Sequence, residues 1–316
     1  MAKWLVTGGA GFIGSHIVET LVASGEKVRV LDNFFAGKKE SLASVLPKIE
    51  LMEGDIRDGF ASAKAVRGVD YVLHQAALRS VPRSVKEPEE YNSVNVQGTL
   101  SMLLASCKAK VKRFVLASSS SVYGDSTLFP QRESHYPLPI SPYAASKIAG
   151  EHYGHVFTQT YGLSCVSLRY FNVFGPRQDP KSQYAAVVPR FILAALKGQP
   201  LEIHWDGKQS RDFAYVSNIA RANIEAARSK SLKREVYNVA CGTSTSLLRI
   251  AALLEKFIGS PLKKKFFPRR EGDVRKTWAD ISGLCKDLKL SRQVEFEEGL
   301  KNTFDYFSQG ERWRKY

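Results

Sequence analysis

The sequence predicts an α/β protein, a doubly wound parallel sheet with a smaller C-terminal lobe. Three observations predict it. Short apolar runs alternate with helical stretches as far as Tyr170, the signature of parallel βαβ units. The runs are apolar almost throughout, as strands covered on both faces must be. The first of them ends in a glycine turn that opens onto a helix.

Residues 3–7 are the first strand, and residues 12–24 show helical spacing in Phe12, Ile13, Ile17, Val18, Leu21 and Val22, with Gly25 as the stop. Further strands are expected at 28–31, 49–52, 69–73, 113–117 and 164–170, with a long helix near 89–108. After Phe171 the pattern loosens. Loops rich in Pro, Gly and charge separate helices near 184–197, 216–229 and 246–258. The expected division is 1–171 for the sheet domain and 172–316 for most of the lobe, with some later segments returning to the sheet.

The chain of 316 residues is 44% hydrophobic and 24% charged, ample for a core. No apolar run approaches the roughly 18 residues a membrane helix needs, and Met1 to Thr7 reads as a strand and not as a signal peptide. Cys107, Cys165, Cys241 and Cys285 are far apart and lack metal-ligand spacing, so reduced thiols, a cytoplasmic location and no metal are expected. The net charge of +15 favours anionic partners. The densest basic stretch, Lys263-Lys264-Lys265, reads as a solvated edge strand.

Thr7 to Gly14, in the order Thr-Gly-Gly-Ala-Gly-Phe-Ile-Gly, joins the first strand to the first helix. Gly8, Gly11 and Gly14 permit the tight turn, let backbone approach a pyrophosphate, and let the helix pack closely. The helix N-terminus offers free N–H groups to the phosphates. Asp32 ends the second strand, where an acid accepts from a ribose hydroxyl pair and repels a 2′-phosphate. The expectation is a Rossmann-type NAD site, although Lys38 and Lys39 could tolerate a phosphate. Asp55 follows the third strand and is either an adenine contact or a helix N-terminal acid.

Tyr143 and Lys147 follow Ser141-Pro142, an N-cap and a first-turn proline, so both project from one face of a new helix. A lysine ammonium beside a phenol, and a helix N-terminus, both lower the phenol's pKa toward the range useful for general acid–base work. Upstream lies Ser118-Ser119-Ser120-Ser121-Val122-Tyr123-Gly124 at the end of the fifth strand, where ligands bind in doubly wound sheets. Ser119 is the expected functional hydroxyl, with Ser120 and Ser121 lining.

Taken together, the glycine turn, Asp32, His74-Gln75-Ala76-Ala77, Asn95, the serine strand and Tyr143-x-x-x-Lys147 resemble the extended short-chain dehydrogenases/reductases. The segments Tyr170 to Gly175, Val188 to Phe191, Ser210 to Phe213 and Arg270 to Asp273 resemble the nucleotide-sugar members, and Leu78 to Ser84 together with Gln178-Asp179-Pro180 leading into Tyr184 to Pro189 resemble the UDP-N-acetylglucosamine 4-epimerases specifically. The resemblance implies NAD as cofactor, held by Gly8, Gly11, Phe12, Ile13, Gly14, Asp32, Asn33, Asp55, Ile56, Gln75, Ala76, Ala77, Tyr143, Lys147 and Tyr170. It implies a UDP-sugar substrate held by Ser80, Ser119, Ser120, Tyr143, Asn172, Gln178, Val188, Arg211, Arg270, Asp273 and Thr277, with Asn172, Arg211 and Arg270 on the diphosphate. Ser119, Tyr143 and Lys147 would be catalytic, and His74 structural or cofactor-lining.

By the same resemblance, Tyr143 takes the C4 hydroxyl proton while the C4 hydride leaves, giving a 4-keto sugar. Dehydratases and decarboxylases of this kind carry acids where Ser120 and Ser121 stand here. The keto sugar would therefore turn over and regain hydride on its other face. The small Thr277 stands where a bulky tyrosine excludes N-acetyl groups, so UDP-N-acetylglucosamine and UDP-N-acetylgalactosamine are the expected pair. UDP-glucuronate and UDP-glucose are the alternatives. A non-catalytic NAD- or RNA-binding protein is the alternative from another class, against which Ser119, Tyr143 and Lys147 stand in register. The relatives are usually homodimers, so a homodimer without specific nucleic-acid or membrane binding is expected.

Overall fold

The computed structural model describes residues 1–180, 187–230, 232–269, 275–290 and 293–309. Strand β1 (Lys3–Thr7) leads into α1 (Phe12–Ala23), β2 (Lys27–Asp32), β3 (Ile49–Glu53), α2 (Gly59–Val66) and β4 (Tyr71–His74). There follow α3 (Val81–Lys86), α4 (Pro88–Tyr91), a π-helical stretch (Asn92–Gln97), α5 (Gly98–Lys108), β5 (Arg113–Ser119), α6 (Pro142–Tyr161) and β6 (Cys165–Tyr170). Later helices are α7 (Val187–Leu196), α8 (Val216–Arg228) and α9 (Leu247–Ile258).

The main sheet runs in the order Val236–Val239, β6, β5, β4, β1, β2, β3, and every pairing is parallel. Crossovers wind one way from β1 to β3 and the other way from β4 to β6. The crevice where the order reverses lies above β1 and β4, the place a doubly wound sheet offers a ligand. Alternate side chains of β1 show why the strands are apolar throughout. Trp4 and Val6 pack under α1 and α8 with Ile17, Leu21, Ile219 and Ala222. Leu5 points the other way into Val66, Met102, Leu103 and Phe157 from α2, α5 and α6.

Helix starts follow the expected capping. The Ser141 hydroxyl accepts from the Ala144 N–H at 3.2 Å, with Pro142 in the first turn of α6. At the other end, α6 stops on Gly162 in the left-handed conformation. The stretch expected as one helix over 89–108 is instead α4, the π-helical turn and α5. That turn brings Asn95 inward, where its amide bonds both the N–H and the carbonyl of Leu78 and also Ser146 Oγ.

The C-terminal half divides its residues between two cores. The strand at Val236–Val239 and helix α8 join the sheet. A separate apolar cluster around Phe174, Phe191, Ile203, Leu254, Leu300 and Phe307 forms the lobe. Within it α9 buries Leu247, Ile250, Ala251, Leu253 and Leu254 along one stripe, each large side chain contributing about 1.5–3 kcal/mol. The Lys263–Lys265 run lies mostly in the strand Lys264–Phe267, which pairs in parallel with Leu201–His204 and leaves its lysines exposed. All four cysteines are free thiols. No described helix is long and apolar enough to cross a membrane.

Candidate active site

A cavity of about 460 Å³ opens over the carboxyl ends of β1, β2 and β4. Every residue expected to hold the cofactor lines it, from Gly8 in the glycine turn to Tyr170 at the end of β6. Gly8 has φ +64°, and a side-chain carbon there would sit 2.8 Å from Ala76 backbone. At Gly14 such a carbon would run into the Gly8 carbonyl. The turn is thus closed so tightly that only hydrogen fits.

Asp32 is buried and ties this turn together. Its Oδ2 accepts from the Ala10 N–H at 2.9 Å and its Oδ1 from the Phe34 N–H at 2.8 Å. Burial pushes its carboxyl above the usual range, and the two N–H bonds act against that. Asp55 lines the cavity in a fork with Arg57, at 3.0 and 2.8 Å, and also accepts from Asn33 Nδ2 at 3.0 Å. The Arg57 guanidinium holds it down to about 2. The residues present therefore fit a dinucleotide: a phosphate cradle at a helix N-terminus, a buried acid for ribose, and a fixed polar edge beyond it.

At the inner end Tyr143 and Lys147 enter from α6. The Tyr143 phenol faces the Ser119 side chain, which lowers its pKa, while burial raises it more. The Lys147 ammonium is buried and donates to the Ala117 carbonyl at 2.8 Å, 5.8 Å from the Tyr143 ring centroid. Burial pushes Lys147 down to about 8 while the Glu151 carboxylate pulls it up. The Arg79 cation also lowers the phenol. Lys147 reaches the strand carbonyl beside the Tyr143 ring, and Arg79 lines the same cavity as Tyr143. His74 is satisfied between Thr7 Oγ1 at 2.8 Å and Thr99 Oγ1 at 3.1 Å. Burial pushes it down to about 3, a neutral ring.

The residues expected around the sugar and diphosphate fall into several groups. Ser80 lines the cavity and caps α3, its hydroxyl accepting from the Arg83 N–H. Ser119 accepts from Ser121 Oγ at 2.9 Å, and Ser120 is half-buried beside it. Asn172, at φ 28°, donates to the Asp212 carbonyl at 2.9 Å and to Thr277 Oγ1 at 3.1 Å. Arg211 neighbours this pair on the strand Ser210–Arg211. Gln178 is buried and donates to the Val173 carbonyl, while its Oε1 has no partner among the described residues. Val188 is fully buried in the lobe core and is not part of the cavity lining. Arg270 and Asp273 lie outside the described residues. The cavity also enlists side chains the sequence did not single out for it, among them Phe35, Arg57, Arg79, Arg83, Glu90 and Tyr91. Arg79 and Arg83 carried a signal as members of the stretch Leu78 to Ser84, and Arg57 as a near neighbour of Asp55.

Residues 4–240 match the NAD dependent epimerase/dehydratase family. A solved structure, the UDP-N-acetylglucosamine 4-epimerase from Methanobrevibacter ruminantium in complex with UDP-N-acetylmuramic acid, is 42% identical, with TM-score 0.92 over 97% of this chain and 98% of that one. The UDP-glucuronic acid 4-epimerase from Bacillus cereus, in complex with UDP-glucuronic acid and NAD, is 34% identical, with TM-score 0.88 over 97% and 99%. The UDP-glucose 4-epimerase of Mycolicibacterium smegmatis is 36% identical over 96% of this chain and 98% of its own length. With the glycine cradle, Asp32 and the Tyr143–Lys147 helix in one cavity, this chain belongs to the NAD-dependent epimerase/dehydratase family and uses NAD.

Proposed function

We propose that this enzyme, a UDP-sugar 4-epimerase, interconverts UDP-N-acetylglucosamine and UDP-N-acetylgalactosamine. The arrangement at the inner end of the cavity carries the reading. A phenol facing a serine hydroxyl stands beside a buried ammonium, and the described residues lining the cavity leave few carboxylates to consider for elimination. The carboxylates lining the cavity are Asp32, Asp55 and Glu90, and each is already bound to backbone N–H groups or to Arg57. Ser121, where a dehydratase of this kind carries acid–base chemistry, spends its hydroxyl on Ser119.

NAD supplies a reversible acceptor for the C4 hydride. Tyr143 takes the C4 hydroxyl proton and later returns it, with Ser119 bonding the oxygen on which negative charge grows. Lys147 supplies the positive potential that favours phenolate. Arg211 and Arg270 hold the diphosphate, with the Asn172 amide joining them by giving up its bond to Asp212 or Thr277, so the hexose can rotate while its anchor stays in place.

The N-acetyl preference rests on Thr277, whose small side chain bonds to Asn172 and to the Asp212 N–H at 3.2 Å. Thr277→Tyr is expected to lower kcat/KM for the N-acetylated sugar relative to UDP-glucose by at least about tenfold, the scale of a steric mismatch in a pocket. An unchanged ratio in competition assays would remove Thr277 from the specificity argument. A second reading, an acidic hexose, is favoured by Arg79, an exposed cation on the cavity wall that has no ion pair among the described residues.

The deciding assay mixes the protein with UDP-N-acetylglucosamine and follows the anomeric and H4 protons by NMR. UDP-N-acetylgalactosamine is expected to appear. No inversion, in protein shown to hold NAD, rejects this sugar and passes the test to UDP-glucuronate and UDP-glucose.

A further inference from the structure

Glu151 has no part in the chemistry described so far, yet it is the carboxylate whose charge acts on Lys147. It lies one helical turn beyond Lys147 on α6 and is 7% exposed. Its Oε1 accepts from Arg169 Nε at 2.9 Å and from the Ser118 hydroxyl, and its Oε2 accepts from Arg169 Nη2 at 2.7 Å. The Arg169 guanidinium is buried in turn, 4.8 Å from the centroid of the Tyr123 ring. Ser118 stands between Ala117, whose carbonyl takes the Lys147 ammonium, and Ser119, which faces the Tyr143 phenol. One buried carboxylate therefore touches the strand end from which both Lys147 and Tyr143 are held.

Buried ion pairs add little stability compared with apolar packing of the same volume. This one has an electrostatic consequence. The Lys147 ammonium is buried with a single carbonyl acceptor, conditions that favour the neutral amine. The groups facing it are Tyr143 and Glu151 on its own helix, the neutral His74 from β4 and the Ala117 carbonyl from β5. Of these only Glu151 is an anion. Glu151 faces Arg169 from β6 and Ser118 from β5, while His152, His155 and Glu235 line a small cavity on its outer side.

We propose that Glu151 is a positioning residue for the reaction: fixed by Arg169 and Ser118, its carboxylate keeps the Lys147 ammonium charged and holds the strand end that presents Ser119 to Tyr143. The inference rests on the assignment of Tyr143 and Lys147 to the chemistry and is independent of which UDP-sugar is turned over.

The test is the pH profile of kcat for the NAD-loaded enzyme, with whichever UDP-sugar it converts. In Glu151→Gln the limb that reports Lys147, whose ammonium burial brings down to about 8, is expected to move down by about one pH unit, the scale of a single charge one helical turn away. Glu151→Asp, which keeps the charge, is expected to hold the limb within about 0.3 unit even where kcat falls. An unmoved limb in Glu151→Gln, or equal displacement in both variants, overturns the proposal. If Glu151→Gln does not fold, Glu151→Met combined with Arg169→Met replaces the whole pair by apolar volume. That variant removes the carboxylate that acts on Lys147, so the limb must move there too, and an unmoved limb again overturns the proposal. Lys147→Met separates the two levels. Turnover above about a tenth of wild type would reject Lys147 itself, given the 10²–10⁴-fold scale of positioned acid–base groups.

Discussion

Tyr143→Phe is expected to cut epimerisation by about 10³-fold or more while leaving NAD bound. The phenol is the group placed to move the C4 hydroxyl proton, and positioned acid–base groups contribute about 10²–10⁴-fold. What the substitution removes from the fold is small. The ring keeps its edge-to-face contact with Tyr91, centroids 6.4 Å apart. The lost hydroxyl leaves the Ser119 side chain with its Ser121 bond intact, a change worth about 1 kcal/mol. Cofactor content, read by absorbance after denaturation, should match wild type. Activity within tenfold of wild type would show that another group carries the proton. Burial raises the phenol and brings Lys147 down to about 8, so the ammonium titrates first, and turnover should rise with pH toward that range and fall only above the phenol's.

What the sequence made legible is what is local. The glycine turn, the acid ending β2 and the capped start of α6 each depend on a few adjacent residues. Their chemistry has a single solution: hydrogen at Gly14, a carboxylate at Asp32, a hydroxyl acceptor at Ser141. Strand edges were less legible. The fourth strand begins at Tyr71 and not at residue 69, because the Val69 N–H closes a turn on the Val66 carbonyl and Asp70 bonds Lys3 instead. The π-helical turn at Asn92–Gln97 carries no periodic signal, since its cause is distant: Asn95 is drawn inward by Leu78 and Ser146.

Long-range electrostatics were the least visible. Arg79 and Glu151 look like ordinary charges on a solvated loop and helix. Only the fold shows that one lies along the wall of the cavity that holds Tyr143, and that the other is buried against Arg169 beneath Lys147. The same holds for the last strand and α8. Their pattern is ordinary, and their place in the sheet is set by pairing with β6 and packing on β1, not by anything near them in the chain.

Asp32→Ala is expected to weaken NAD binding by about 10²-fold or more and to erase most of the preference for NAD over NADP. A carboxylate offers about four acceptor sites. The Ala10 and Phe34 N–H groups use one on each oxygen, which leaves one on each for a ribose hydroxyl pair. Charge-assisted bonds of this kind contribute about 1.5–3 kcal/mol each, so losing them costs affinity on the stated scale. The two N–H groups would also be left in a buried turn, at about 1–3 kcal/mol each, and the glycine loop should loosen with them. Removing the negative charge also removes the repulsion a 2′-phosphate would meet, with Lys38 and Lys39 following in the chain. Calorimetric titration of cofactor-stripped protein with NAD and NADP measures both effects, and NAD affinity within threefold of wild type would show that Asp32 shapes the loop without touching the ribose. The sign with pH follows from the raised pKa. On acidification Asp32 takes its proton earlier than an ordinary aspartate, so NAD affinity in wild type should begin to fall above the usual carboxylate range. In Asp32→Ala that limb should be absent, because the group that titrates is gone.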